Sequence, residues 1–133
     1  MITIKGLRKS YGTKEVLSGV SLTVPDASVF GLVGINGAGK TTLLRMMADV
    51  LRPDEGTVEY DGENIAGNAK KRKELFFLPD EPYYTAGTTV EKLVALYKSY
   101  YAFDDELFAR YEKLFSLERR TPIRNFSKGM KRQ

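Results

Sequence analysis

Apolar and polar positions alternate along the first two dozen residues, and then the rhythm changes. Ile2, Ile4 and Leu7 predict a strand that ends near Tyr11-Gly12. Val16-Leu17, Val20, Leu22 and Val24 predict a second strand, closed by the turn signal Pro25-Asp26. Residues 29–33, Val-Phe-Gly-Leu-Val, form a nearly continuous apolar run, the pattern of a parallel strand covered on both faces. Residues 40–50 then place Leu43, Leu44, Met47 and Val50 at helical spacing, and Pro53 marks the end of that helix.

Further along, residues 57–60 alternate as a strand before the hairpin signal Asp61-Gly62, and residues 75–78 are another apolar strand candidate. Thr88-Thr89-Val90-Glu91 fits a capping box, with Thr88 as the cap and Glu91 reaching back to its amide. Val90, Leu93, Val94, Tyr97 and Tyr101 mark one face of the helix that follows. Asp104 or Asp105 caps the next, with Leu107, Tyr111, Leu114 and Phe115 as its inner face. Ser127 is placed to cap a last helix. The order is antiparallel-type strands, then strand–loop–helix, then a mostly helical stretch. It predicts an α/β fold with a core over residues 1–86 and a helical subdomain over residues 87–133.

Composition narrows the chemistry. With 133 residues the chain fits one domain with a real core. It contains no cysteine and no histidine, which excludes disulfides, thiolate nucleophiles, a histidine general base and histidine metal ligands within these residues. No apolar run approaches the roughly 20 residues of a membrane span. Met1-Ile2-Thr3-Ile4-Lys5 lacks a secretory apolar core, so a membrane link has to come through a partner. The net charge is +4, with basic residues gathered at Lys70-Lys71-Arg72-Lys73 and over residues 119–132. Such clusters suit nucleic acid or an anionic surface. Solvated helix ends explain them more simply, and no nucleic-acid partner is expected.

The most informative segment is Gly34-Ile35-Asn36-Gly37-Ala38-Gly39-Lys40-Thr41, which fits G-x-x-x-x-G-K-[ST] at every fixed position. A di- or triphosphate presents many charged oxygens, and consecutive backbone amides reach them only where no Cβ blocks the approach. The loop follows a predicted strand and opens a predicted helix, whose free amides and partial positive charge add attraction. In this arrangement Gly37, Ala38 and Gly39 carry the cradle. Lys40 neutralises β- and γ-phosphate charge, Thr41 offers a hydroxyl to Mg²⁺, and Thr42 donates to the α-phosphate.

The wording Gly-Ile-Asn-Gly-Ala-Gly-Lys-Thr-Thr resembles the Walker A motif of ABC transporter ATP-binding subunits, and the resemblance extends along the whole chain. It implies a P-loop NTPase core of the ABC type, ATP and Mg²⁺ as cofactors, and Asn36 among the phosphate-loop residues. Leu7-Arg8-Lys9-Ser10-Tyr11-Gly12 is similar to the family's A-loop, in which Tyr11 would stack on adenine and Val16 would flank the base or ribose. Leu51-Arg52-Pro53-Asp54-Glu55-Gly56-Thr57-Val58 resembles the turn after the P-loop helix, a structural element. Phe77-Leu78-Pro79-Asp80-Glu81-Pro82 lies where the Q-loop begins, with Asp80 in place of the usual glutamine as a ligand for Mg²⁺. Residues 75–78 with Asp80-Glu81 loosely mimic a Walker B strand. Pro79 argues against that, because a central strand needs the amide that proline lacks. Asn125-Phe126-Ser127-Lys128-Gly129-Met130 resembles the signature motif. Ser127 and Gly129 match it, while Phe126, Lys128 and Met130 depart from it.

The resemblance further implies a subunit that dimerises with a like or unlike ATPase subunit, so that Ser127 faces the nucleotide of the opposite one. It also implies docking to a membrane permease through the helical subdomain, and a cytoplasmic location at the inner face of the membrane. The family's Walker B aspartate, general-base glutamate and switch histidine have no counterpart in residues 1–133. The sequence therefore reads as the front portion of the fold. It is expected to bind nucleotide without meaningful turnover, and to self-associate through residues 29–33. Two alternatives are a non-hydrolysing nucleotide-binding module and a non-transport ABC ATPase acting on nucleic acid.

Overall fold

The computed structural model describes residues 1–79 and 83–132. These fall into two compact units, Met1–Phe77 and Leu78–Gln133.

In the first unit, β1 (Ile2–Tyr11) and β2 (Lys14–Val24) form an antiparallel hairpin, and β3 (Glu55–Tyr60) pairs antiparallel with the other edge of β1. A short β4 (Glu63–Asn64) completes a sheet in the order β2-β1-β3-β4. The turn between β3 and β4 is Asp61-Gly62, with φ of 54° and 80°, the left-handed pair that a two-residue hairpin requires. Ile4 stands opposite both Leu22 and Val58, so one face of three strands shares an apolar row. The registers of both ladders slip just past Ile4-Lys5. There Gly56 comes so close that a Cβ on it would run into the carbonyls of Lys5 and Gly6.

Helix α1 (Lys40–Met47) sends Leu43 and Met46 into a buried cluster with Ile4, Leu7, Leu17, Val58 and Ile65. Each such side chain contributes about 1.5–3 kcal/mol relative to exposure. The helix ends earlier than the apolar spacing predicts. Asp49 turns left-handed with φ of 53°, and the amides of Val50 and Leu51 both return to the Arg45 carbonyl. Tyr60 donates its hydroxyl to the Met47 carbonyl at 2.7 Å, satisfying an end-of-helix acceptor. The basic cluster also takes on a structure that the apolar pattern does not predict: α2 (Ala69–Arg72), capped by Asn68, which accepts from the Lys71 amide. Lys71 pairs with Asp61 and Glu74, and Arg72 with Asp49.

Two predicted strands do not form. Residues 29–33 and 75–78 enter no ladder among the described residues. Val29 and Val33 are almost fully exposed, and Phe30, Phe76 and Leu78 are exposed as well. An apolar run becomes a strand only when neighbouring backbone takes up its amides and carbonyls in a ladder, and no described strand pairs with these.

In the second unit, α3 (Val90–Tyr100) and α4 (Asp105–Phe115) are followed by 3₁₀ turns at Ile123–Asn125 and Met130–Arg132. The α3 cap is Thr89, which accepts from the Lys92 amide at 3.3 Å, rather than Thr88. Thr88 instead shares a 2.8 Å hydroxyl contact with Thr85, and its carbonyl accepts from Ile123. Asp104 caps α4 through the Leu107 amide at 2.8 Å. The expected inner face of α4 is turned outward: Leu107, Tyr111, Leu114 and Phe115 are all exposed. Phe108, one position along, packs instead against Phe103 with ring centroids 5.4 Å apart, and Arg119 lies 5.7 Å from the Phe108 ring. Tyr84 is half-buried in this unit, and burial, then the neighbouring Tyr97, pushes its phenol above the ordinary value.

Candidate functional site

The glycine-rich loop runs from Gly34 into α1 without a side-chain cap. The first intrahelical bond is from the Leu43 amide to the Gly39 carbonyl, at 2.8 Å. The amides of Lys40, Thr41 and Thr42 therefore begin the helix with no partner inside it, and no acidic residue occupies the first turn. That combination attracts anions. One turn-forming bond, Ala38 amide to Ile35 carbonyl at 3.2 Å, folds the loop back on itself.

The Lys40 ammonium lies inside this curve. It donates to the carbonyls of Gly34 and Ile35, at 2.6 and 2.9 Å. Positive charge is thus held at the loop mouth by neutral acceptors, which phosphate oxygens outcompete, because bonds between charged partners are stronger.

Gly39 fixes the loop to the sheet. Its φ is 84°, and a Cβ there would stand 2.8 Å from Leu17 Cδ2 and 3.0 Å from the Val16 carbonyl oxygen. The start of β2 is therefore a wall against which the loop is seated. Gly37 also has a left-handed φ, 85°, but its Cβ direction is open. Asn36, Ala38 and Thr41 are exposed, while Thr42 and Lys40 are partly covered.

Val16 and Tyr11 belong to the same hairpin. Val16 is half-buried against Gly39, and Tyr11 ends β1 with half of its surface free. Lys9 places its ammonium 6.0 Å from the Tyr11 ring centroid. The first unit thus brings Tyr11, Val16 and the phosphate loop onto one connected scaffold. Ser127 and Gly129 belong to the second unit, where the Ser127 hydroxyl accepts from the Met130 amide at 3.2 Å as a cap. Asp80, the expected Mg²⁺ ligand of the Q-loop segment, lies outside the described residues. Leu17, which braces Gly39, carries no motif and reads in sequence only as a strand residue. Asp54, which holds the strand leading to Tyr11, reads only as a turn residue.

Mg²⁺ suits the chemistry of this loop as an ion held between protein and phosphate oxygens. Thr41, in the first turn of α1, supplies a hard hydroxyl donor of the kind Mg²⁺ takes beside nucleotide oxygens. Among the described residues, no cluster of three or more acidic, histidine or cysteine side chains is arranged to hold a metal.

A glycine loop opening an uncapped helix beside a loop-bound ammonium defines the P-loop class of nucleotide-binding folds. The family model described as ABC transporter matches residues 17–133, and the chain belongs to that family. It is 34% identical over 138 residues to the ABC transporter ATP-binding protein YtrB of Bacillus subtilis (strain 168), covering all of this chain and 46% of that protein. It is 33% identical over 144 residues to the Nod factor export ATP-binding protein I of Ralstonia nicotianae, covering all of this chain and 44% of that one. A solved ATP-binding subunit of an ABC transporter superposes with a TM-score of 0.84 at 25% identity, over 98% of this chain and 57% of that one. The chain thus spans about half the length of the curated relatives it matches. No helix among the described residues is long and apolar enough to cross a membrane.

Proposed function

We propose that this chain is the nucleotide-binding part of a transporter's ATP-binding subunit, which couples ATP binding and hydrolysis to movement of a solute through a partner permease. The observation that carries this reading is the uncapped start of α1 next to the Lys40 ammonium, held by the carbonyls of Gly34 and Ile35. Incoming β- and γ-phosphates take the place of those carbonyls on Lys40 and accept from the open helix amides. The amides of Gly37 and Gly39 line the approach, the Ala38 amide joins them by leaving the Ile35 carbonyl, and Thr42 donates to the α-phosphate. Tyr11 stacks on the adenine and Val16 borders it. Thr41 and Asp80 would hold Mg²⁺, which when bound would supply positive charge against the phosphate oxygens.

In this reading Ser127 and Gly129 meet the γ-phosphate held by the opposite ATPase subunit of a dimer, and closure of that dimer follows nucleotide binding. The permease docks on the helical unit at the cytoplasmic face of the membrane. Water activation depends on groups with no counterpart in residues 1–133, so these residues alone bind ATP without turning it over.

Calorimetry with Mg-ATP on the folded chain tests this. Saturable binding is expected, weakened about 10- to 100-fold by Lys40→Ala through loss of a charge-assisted bond, with no phosphate release above background. Absence of any affinity would sink the site assignment. Turnover abolished by Lys40→Ala would sink the claim that these residues bind without hydrolysis.

A further inference from the structure

Asp54 sits in the turn between α1 and β3, and its carboxylate reaches back to the last residues of β1. One oxygen accepts from the Lys9 ammonium at 2.5 Å, the other from the Ser10 backbone amide at 2.7 Å. The Asp54 amide in turn donates to the Arg8 carbonyl at 3.0 Å. Three consecutive residues of β1, ending one short of Tyr11, are thus fastened by a single side chain and its own backbone.

The need for such a fastening follows from the sheet. The β1–β3 ladder runs from Ile2↔Tyr60 to Arg8↔Glu55, and β3 begins at Glu55. Beyond Arg8, β1 has no strand partner on that edge among the described residues, while the β1–β2 register slips between Lys9 and Ser10. An amide at such a point has no ladder acceptor. Asp54 supplies one. Its second contact, to Lys9, fixes a side chain only 15% exposed whose ammonium lies 6.0 Å from the Tyr11 ring. Lys9 therefore links the carboxylate to the aromatic ring.

We propose that Asp54 is a positioning residue for base recognition: it holds Ser10 and Lys9 so that the Tyr11 ring is pre-set for a purine, while the phosphate loop is left to act independently. This rests on the reading of Tyr11 as the ring that stacks on adenine. The chemistry is consistent with a carboxylate kept charged for the purpose. The Lys9 ammonium, and after it the Ser10 amide, hold the Asp54 carboxyl below the ordinary carboxylate range. The phosphate loop is braced separately, by Leu17 and Val16 against Gly39, so loss of Asp54 leaves that contact in place.

The test compares two ligands, Mg-ATP and inorganic tripolyphosphate, on the full chain and on Asp54→Ala, Asp54→Asn and Tyr11→Ala. Tripolyphosphate reports the phosphate loop alone. Asp54→Ala is expected to weaken ATP about five- to tenfold, a fraction of a full stacking contact, and to leave tripolyphosphate unchanged. Asp54→Asn keeps an acceptor for Ser10 and recovers part of the loss. It also serves as the readout if the alanine variant does not fold. Equal weakening of both ligands, or no change in either, overturns the proposal, because a purely structural or idle Asp54 gives those results. If Tyr11→Ala leaves the preference for ATP over tripolyphosphate intact, Tyr11 does not read the base, and the assignment of Asp54 falls with it. If Tyr11→Ala removes the preference and neither Asp54 variant lowers it, only the Asp54 inference fails.

Discussion

Gly39 and Leu17 are packed so closely that a Cβ on Gly39 would stand 2.8 Å from Leu17 Cδ2. The phosphate loop is therefore seated on the first hairpin by the absence of a side chain. The left-handed φ of 84° at the same residue makes glycine doubly necessary.

Gly39→Ala is accordingly expected to cost about 2–5 kcal/mol of stability from strain and overpacking together, and to weaken ATP binding as the loop shifts off β2. Gly37→Ala meets open space and should cost only its backbone strain, about 1–2 kcal/mol. Thermal unfolding and calorimetry on the two variants check this; equal effects would show that the contact with Leu17 does not seat the loop.

Tyr60→Phe removes the donor that satisfies the Met47 carbonyl while keeping the ring in place. The loss should be about 1 kcal/mol, read as a lower urea midpoint at unchanged slope. Burial pushes the Tyr60 phenol above its ordinary value, so it stays protonated and able to donate at neutral pH.

Acid should loosen both units. The Arg119 guanidinium holds the Glu112 carboxyl below its ordinary value, and the N-terminal ammonium, then Lys71, do the same for Asp61. Because the folded values lie below the unfolded ones, the folded state binds fewer protons. The stabilisation is complete above the ordinary carboxylate range, near pH 4, and is lost as pH falls through the depressed folded values. Melting curves between pH 6 and pH 2 are expected to show a falling midpoint, flattened in part by Glu112→Gln. An identical fall in that variant would mean that the Arg119 pair contributes nothing.

The outward face of α4 separates packing from pattern. Leu114→Ser alters an exposed position and should change stability by no more than about 0.5 kcal/mol, while Tyr111→Ser, which also removes a ring stacked on Phe115, should cost about 1 kcal/mol. Phe108→Ala, which removes the ring packed against Phe103, should cost about 2 kcal/mol or more. Denaturant midpoints for the three variants decide between this arrangement and the inward face that the spacing suggests.

The sequence by itself determined the local chemistry. The spacing of Gly34, Gly39, Lys40 and Thr41 names a phosphate loop, and the alternation through β1, β2 and β3 names those strands, because such features depend on residues close along the chain. The cap of α4 is Asp104, one of the two residues the sequence offers, whereas the cap of α3 is shifted by one position. Thr88 and Thr89 have the same hydroxyl, and only the backbone turn at Thr89, with φ of −119°, decides which one faces the free amide.

Tertiary structure decided everything that needs a distant neighbour. Residues 29–33 have the composition of a buried strand, yet no described strand pairs with them, and a ladder requires a partner that no apolar run supplies for itself. The seating of Gly39 on Leu17 joins residues 22 positions apart (39 minus 17), and the bond from Asp54 to Ser10 spans 44 positions. In sequence the first is a strand leucine and the second a turn aspartate. Their roles arise only when the sheet folds back and brings a side chain to backbone that would otherwise lack support.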